Sequence, residues 1–338
     1  MMQTLRTRDV LRCILLNVPK GPNLACPSQC ITGNKTASNP ILWKETLALR
    51  RERVTVASWK GPRLQGLASA RMRSGHRAWE IDRLFLAGDA GDVSINGDAL
   101  SGESFSNNPL SRYEESPRHN PSPNLVALEL LEQIARETGE LKAERIFLRI
   151  PADSRIFILA RQAGYFPYYE ETLLESGVPG VPMEPQQLAS PPENWRELTA
   201  EDYYPLFQLY CAATPQPVRT AVGLTFDQWR DAQECTGHRE SWISKSNGKV
   251  LARLGLSWRG QVMGGEVLAD PGNPELWAAS VEWALNKGGM QKWLVPDYQE
   301  MVSSLLLRRQ FQAVSRYNVM IKTVVAPVAK PGMVTVEA

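Results

Sequence analysis

Seven of the residues between positions 176 and 194 are proline or glycine: Gly177, Pro179, Gly180, Pro182, Pro185, Pro191 and Pro192. Proline fixes φ and removes a backbone donor, so a run this dense joins neither a helix nor a central strand and reads as an extended linker. It lies near the middle of 338 residues, and a chain of that length suits two cores of about 150 residues each. The expected division is an N-terminal domain over 1–175, a linker over 176–194, a C-terminal domain over 195–326 and a tail over 327–338. A second stretch, 88–123, is rich in Gly, Ser, Asn, Asp and Pro and lacks apolar periodicity. It is expected to be a long flexible loop within the first domain.

Around these breaks the two halves repeat one order of elements. The first half predicts a helix near 40–51, strands at 53–59, 64–73 and 77–87, a helix at 125–138, a strand at 145–150, a helix at 154–163 and a strand at 165–174. In 77–87 the apolar positions Trp79, Ile81, Leu84 and Leu86 alternate with one slip, the pattern a β-bulge produces. In 125–138, Leu125, Leu128, Leu131 and Ile134 have helical spacing, and Gly139 is the expected C-cap. The second half predicts a Thr-initiated helix start at 198–202, a helix at 226–233, strands at 240–244, 250–258 and 261–269, a helix at 274–287, a strand at 292–295, a helix at 299–310 and a strand at 313–324.

Charge and cysteine usage narrow the function classes. With 38 basic and 36 acidic residues the net charge is +2, which gives no electrostatic case for nucleic acid as a partner. The local cluster Arg50, Arg51, Arg53, Lys60, Arg63, Arg71 and Arg73 reads as arginine scattered over solvated faces. No long uncharged apolar run predicts a membrane span, and the short apolar stretch at 10–18, interrupted by Arg12, reads as mature protein. The cysteines Cys13, Cys26, Cys30, Cys211 and Cys235 are odd in number and form no CxxC, which suits reduced thiols in the cytoplasm. His76, His119 and His238 are far apart in sequence, so no metal is expected.

The best local pattern is Ile146-Phe-Leu-Arg-Ile-Pro-Ala-Asp-Ser154 followed by Leu159-Ala-Arg-Gln-Ala-Gly-Tyr165: a strand, a small polar helix start, then a helix closed by Gly and an aromatic. Together with the repeated element order, it resembles the GNAT acetyltransferase superfamily over nearly the whole chain. The resemblance implies an α/β (α+β) protein of tandem GNAT-like folds, each a mixed, mostly antiparallel sheet flanked by helices. It further implies an N-acyltransferase that moves an acetyl group from acetyl-CoA to a primary amine on a small molecule or peptide. The alternative is a non-catalytic tandem protein with a structural or ligand-sensing role.

In that family acetyl-CoA sits where two neighbouring parallel strands splay apart, and its pyrophosphate meets glycine-rich backbone amides at a helix start. Neither half carries that loop. The second half has Asp270-Pro-Gly-Asn-Pro-Glu275, where two prolines lack amide donors and two carboxylates oppose phosphate. The resemblance also places Ala160 and Leu306 where many members carry a Tyr proton donor. Carboxylates on the central strands are the family's usual bases, so the catalytic candidates are Glu80 and Asp82 in the first half and Glu266 in the second. Cofactor contacts are expected from Arg83, Leu84, Phe85, Leu86 and Ala87, from Asn124, and from Ser154 and Arg155. Trp277 and Trp283 read as core anchors, and Tyr165, Tyr168 and Tyr169 as sheet-packing aromatics.

Overall fold

The computed structural model describes residues 2–4, 22–28, 52–61, 63–87, 123–176, 192, 194–234, 239–259 and 262–324. The expected helix at 40–51, the loop at 88–122, all of the proline-rich linker but 176, 192 and 194, and the tail at 327–338 lie outside the described residues. So do Cys13, Cys30, Cys235, His119 and His238.

Chain order runs β1 (Met2–Thr4), β2 (Arg53–Lys60), β3 (Arg63–Met72), β4 (Ala78–Leu86), α1 (Pro123–Glu140), β5 (Arg145–Pro151), α2 (Ile156–Gln162) and β6 (Phe166–Ser176). The second half follows with β7 (Trp195–Glu197), a 3-10 turn at Ala200–Asp202, α3 (Tyr203–Ala213), α4 (Gln216–Val222) and α5 (Phe226–Asp231). It ends with β8 (Arg239–Ser246), β9 (Lys249–Arg259), β10 (Val262–Ala269), α6 (Pro274–Leu285), β11 (Met290–Pro296), α7 (Glu300–Arg308) and β12 (Phe311–Thr323). The sequence misses β1, β7 and α4, elements of three, three and seven residues too short for a periodic signal.

All twelve strands join one mixed sheet in the order β1-β2-β3-β4-β5-β12-β6-β11-β10-β9-β8-β7. Its described pairs are antiparallel except β4 with β5 and β10 with β11. The order does not follow the chain's division at 176–194: β12 lies between β5 and β6, pairing Tyr317–Thr323 with β5 and Phe311–Ile321 with β6. β5 is therefore central, and five consecutive residues, Ile146 to Ile150, are buried. That explains the unbroken apolar run of the strand, Arg149 excepted.

Helices cover both faces. α1 lies on β2, β3 and β4 with Val126, Leu130, Leu131 and Ile134 in the core. Of the expected stripe, Leu131 and Ile134 are buried, while Leu125 is exposed and Leu128 only partly buried. The difference arises because Val126, Ala127, Leu130, Leu131, Ile134 and Ala135 form the wider face that a sheet accommodates. Gly139 is not the cap. The helix runs to Glu140 and the left-handed residue is Lys142, φ 66°, while a Cβ on Gly139 would lie 2.9 Å from Val324. Gly164 does close α2, at φ 85°. In the second half Trp277, Val281 and Ala284 of α6 pack on β9 and β10, and Trp277 and Trp283 are core residues as expected. The opposite face carries α3 and α5 through Leu206, Leu209, Tyr210 and Trp229.

The slip in the alternation of β4 is a bulge. Ser69 pairs with Arg83 and Ala70 with Ile81, which leaves Asp82 as the extra residue.

Candidate functional site

Each parallel pair opens a gap in the sheet. β4 and β5 pair from Ala78 with Arg145 to Ile81 with Leu148, and then part at the Asp82 bulge. β10 and β11 pair only at Val262 with Met290 and Met263 with Gln291. Strands that part leave N–H and C=O groups that need other partners.

The first gap is occupied by the chain itself. Leu24 N–H donates to Leu84 O at 2.9 Å and Cys26 N–H to Arg149 O at 2.8 Å, so residues 22–28 lie between the diverging strands. Asn23 completes the seal: its side-chain N–H donates to Asp82 O, and its carbonyl oxygen accepts from Leu84 N–H at 2.8 Å and Ala25 N–H at 3.2 Å. Ala25 is buried in the core between them.

The second gap leads instead into a cavity of about 430 Å³. Gly264, Gly265 and Val267 line it on one strand, and Trp293 and Val295 on the other. Gly265 must lack a side chain here, because a Cβ would run into the indole ring of the buried Trp293. Gln299, just before α7, reaches across and donates to Val267 O at 3.1 Å.

At its inner end the cavity meets a buried ionic network. Arg149 Nε donates to Glu171 Oε2 at 2.7 Å, and its Nη2 to Glu234 Oε1 at 2.9 Å. Arg73 bonds Glu80 and Glu234, both at about 3.3 Å or less, and lies over the Phe147 ring at 3.9 Å. Ser28 Oγ donates to the other oxygen of Glu234. Burial alone would raise the Glu234 carboxyl, but Arg149, Arg73 and the Ser28 hydrogen bond outweigh it and hold it far below the usual carboxylate range. Burial likewise acts to lower the Arg149 guanidinium, and Glu171 with Glu234 reverses the effect. Each charge in the network is met by an opposite partner, as burial of charge requires.

Tyrosines face the same space. The Tyr168 and Tyr169 rings meet edge to face at 4.6 Å, and those of Tyr169 and Tyr298 at 5.6 Å. Tyr210 of α3 is 9% exposed, lines the cavity, and its hydroxyl has no hydrogen-bond partner among the described residues. Burial pushes all four hydroxyls well above their usual value, so they remain protonated donors at neutral pH.

Of the carboxylates expected from the sequence, Glu266 lines this cavity, 57% exposed and paired with Arg253 at 3.3 Å. Glu80 is 2% exposed and held by Arg71 and Arg73; Asp82 is held by both terminal nitrogens of Arg53 at 2.8 Å. Neither is among the cavity-lining residues. Arg83, Leu84, Phe85, Leu86 and Ala87 stand on the self-occupied side, where the Leu84 backbone groups are bonded to residues 23 and 24. Asn124 is exposed at the start of α1, Arg155 is exposed, and Ser154 Oγ accepts from Ile156 N–H at the start of α2. None of the three lines the cavity.

Sequence reasoning missed Arg149, Glu171, Glu234, Tyr210 and Tyr298, and it read Tyr168 and Tyr169 as packing only; Arg73, read as one of the arginines on solvated faces, is instead buried against Glu80 and Glu234, as Arg53 and Arg71 are paired with Asp82 and Glu80. One signal was present: an arginine inside an apolar strand demands a buried carboxylate. Among the described residues no group of three or more His, Cys, Asp or Glu is placed to hold a metal, and no helix is long and apolar enough to cross a membrane.

No protein-family model matches the chain, and no curated protein matches it by sequence. Solved structures similar to it include a GCN5-related N-acetyltransferase from Sphaerobacter thermophilus, 12% identical, TM-score 0.49, covering 96% of this chain and 95% of that one. A tandem GNAT protein from the clavulanic acid biosynthesis pathway is 11% identical, TM-score 0.47, covering 97% and 99%. Saccharomyces cerevisiae N-myristoyltransferase is 10% identical, TM-score 0.45, covering 96% and 80%.

Proposed function

We propose that this protein is a GNAT-type N-acyltransferase. An acyl thioester, acetyl-CoA in the simplest case, lodges in the gap between β10 and β11, and a primary amine reaches it from the inner end of the same cavity. The observation that carries this reading is the difference between the two gaps. The first is sealed by hydrogen bonds from residues 22–28, while the second opens onto the cavity. Parted parallel strands present free backbone donors and acceptors to an extended amide-bearing arm such as pantetheine. The loop at 270–275 adds no phosphate cradle.

In the reaction the amine nitrogen forms a bond to the thioester carbonyl carbon, the carbon–sulfur bond breaks, and the thiolate leaves. The attacking amine must first be neutral and then lose a proton, so a carboxylate near the acyl carbon accelerates transfer. Glu234, held strongly acidic by two arginines, is a weak base. Glu266, on β10 at the gap and open to solvent, is the residue we assign to receive the proton. The protonated tyrosines supply donors for the polar groups of the acceptor.

Calorimetric titration with acetyl-CoA tests the reading, with one molecule expected per chain. Two molecules per chain would contradict the sealed first gap. No binding, together with no transfer to a broad amine panel, would leave the non-catalytic alternative.

A further inference from the structure

The cavity's donor end has an unusual chemistry. Beyond β10, where a helix start would offer amides to a phosphate, four amides are already used. Asp270 N–H donates to Leu251 O, Gly272 N–H to Asp270 Oδ1 at 3.0 Å, Asn273 N–H to Asp270 O at 3.0 Å, and Leu276 N–H to Asn273 O at 3.2 Å. Pro271 and Pro274 have no amide to give. Asp270 and the exposed Glu275 add negative charge at the helix start, where an anion would otherwise be favoured.

Basic side chains do not make up the loss. Among the described residues four line the cavity, and each has a carboxylate partner: Arg73 with Glu80 and Glu234, Arg149 with Glu171 and Glu234, Arg253 with Glu266, and Lys292 with Glu175 at 2.6 Å. Lys287, at the far end of α6, lies over the Trp283 ring at 5.3 Å. The gap, by contrast, retains strand backbone on both sides and the small Gly264 and Gly265.

We infer, on the premise that the gap holds a thioester, that it recognises the acylated pantetheine arm alone and that the described residues give the nucleotide part of coenzyme A no contacts of its own. The donor class is thus an acyl-pantetheine thioester, whether borne by coenzyme A or by a simpler carrier of the same arm.

The test is calorimetry on the full chain with acetyl-CoA, S-acetylpantetheine and adenosine 3′,5′-bisphosphate. The two thioesters are expected to bind with dissociation constants less than about tenfold apart, and the bisphosphate is expected not to compete. Glu275→Lys, an exposed change, should raise acetyl-CoA affinity about three- to tenfold and leave S-acetylpantetheine unchanged. Tighter binding of acetyl-CoA by about tenfold or more, or displacement by the bisphosphate, would each overturn the inference. If neither thioester binds, the thioester reading itself falls and takes this inference with it.

Discussion

Arg149 stands between Leu148 and Ile150 in a strand that is otherwise apolar, and its presence alone announces a buried counter-charge. Which counter-charges it finds is not written locally. Glu171 is 22 positions away and Glu234 is 85 away, and only the strand order brings both to one guanidinium. Glu80 and Asp82 were legible as carboxylates on a central strand, but their arginine partners come from β2 and β3, which the alternation of β4 does not specify. Glu171→Ala should cost about 1–3 kcal/mol, because Arg149 loses one of its two carboxylate partners and keeps Glu234, and denaturant unfolding of the variant will measure it. Glu266→Gln belongs to a different class: the residue is largely exposed, so stability should be unchanged while acyl transfer falls about 10²–10⁴-fold and thioester binding holds. Equal losses in transfer and binding would remove Glu266 from the proton-accepting role. Asp202 gives a pH signature. Bonds from Arg196, then from Thr199 and Lys245, hold this buried carboxyl below its ordinary value. A depressed carboxylate contributes stability above its unfolded pKa and loses it as pH falls through the folded one. Asp202→Asn should therefore lower the melting temperature at neutral pH, with the gap to wild type closing below about pH 4.

Among elements, those with a long period or an unambiguous break were readable, including the bulge in β4, the glycine that closes α2, and the alternating strands of the second half. The face of α1 was read only in part, because alanines at 127 and 135 widen its buried side without adding to an apolar pattern. The segment at 22–28 carries no periodicity at all, yet it decides which of the two gaps is closed by the chain itself. Its hold depends on Asn23, whose one side chain satisfies Asp82 O, Leu84 N–H and Ala25 N–H. Asn23→Ala leaves buried backbone groups without partners and should cost about 1–3 kcal/mol. Hydrogen exchange at the Leu84 amide should quicken far more than at Leu254, which lies in the other half. Equal protection at Leu84 in wild type and variant would show that the seal does not rest on this side chain.

For the molecule as a whole, the repeated element order was visible, and the exchange of a strand was not. β12 follows α7 in sequence as closely as β6 follows α2, to within one residue, and nothing in its residues says that it inserts between β5 and β6. A chain severed between 177 and 191 should accordingly give two fragments that lack cooperative unfolding alone and recover it when mixed, as near-ultraviolet dichroism will show; cooperative melting of the first fragment by itself would count against the dependence. The same strand also sets an order in time. A ribosome delivers β12 after every other described element, so for on the order of ten seconds at about 5–20 residues per second the nascent β5 and β6 have no strand between them. During that interval two unpaired edges are open to each other and to neighbouring nascent chains. Yield from translation should thus depend on chaperone supply more than the stability of the finished protein would suggest.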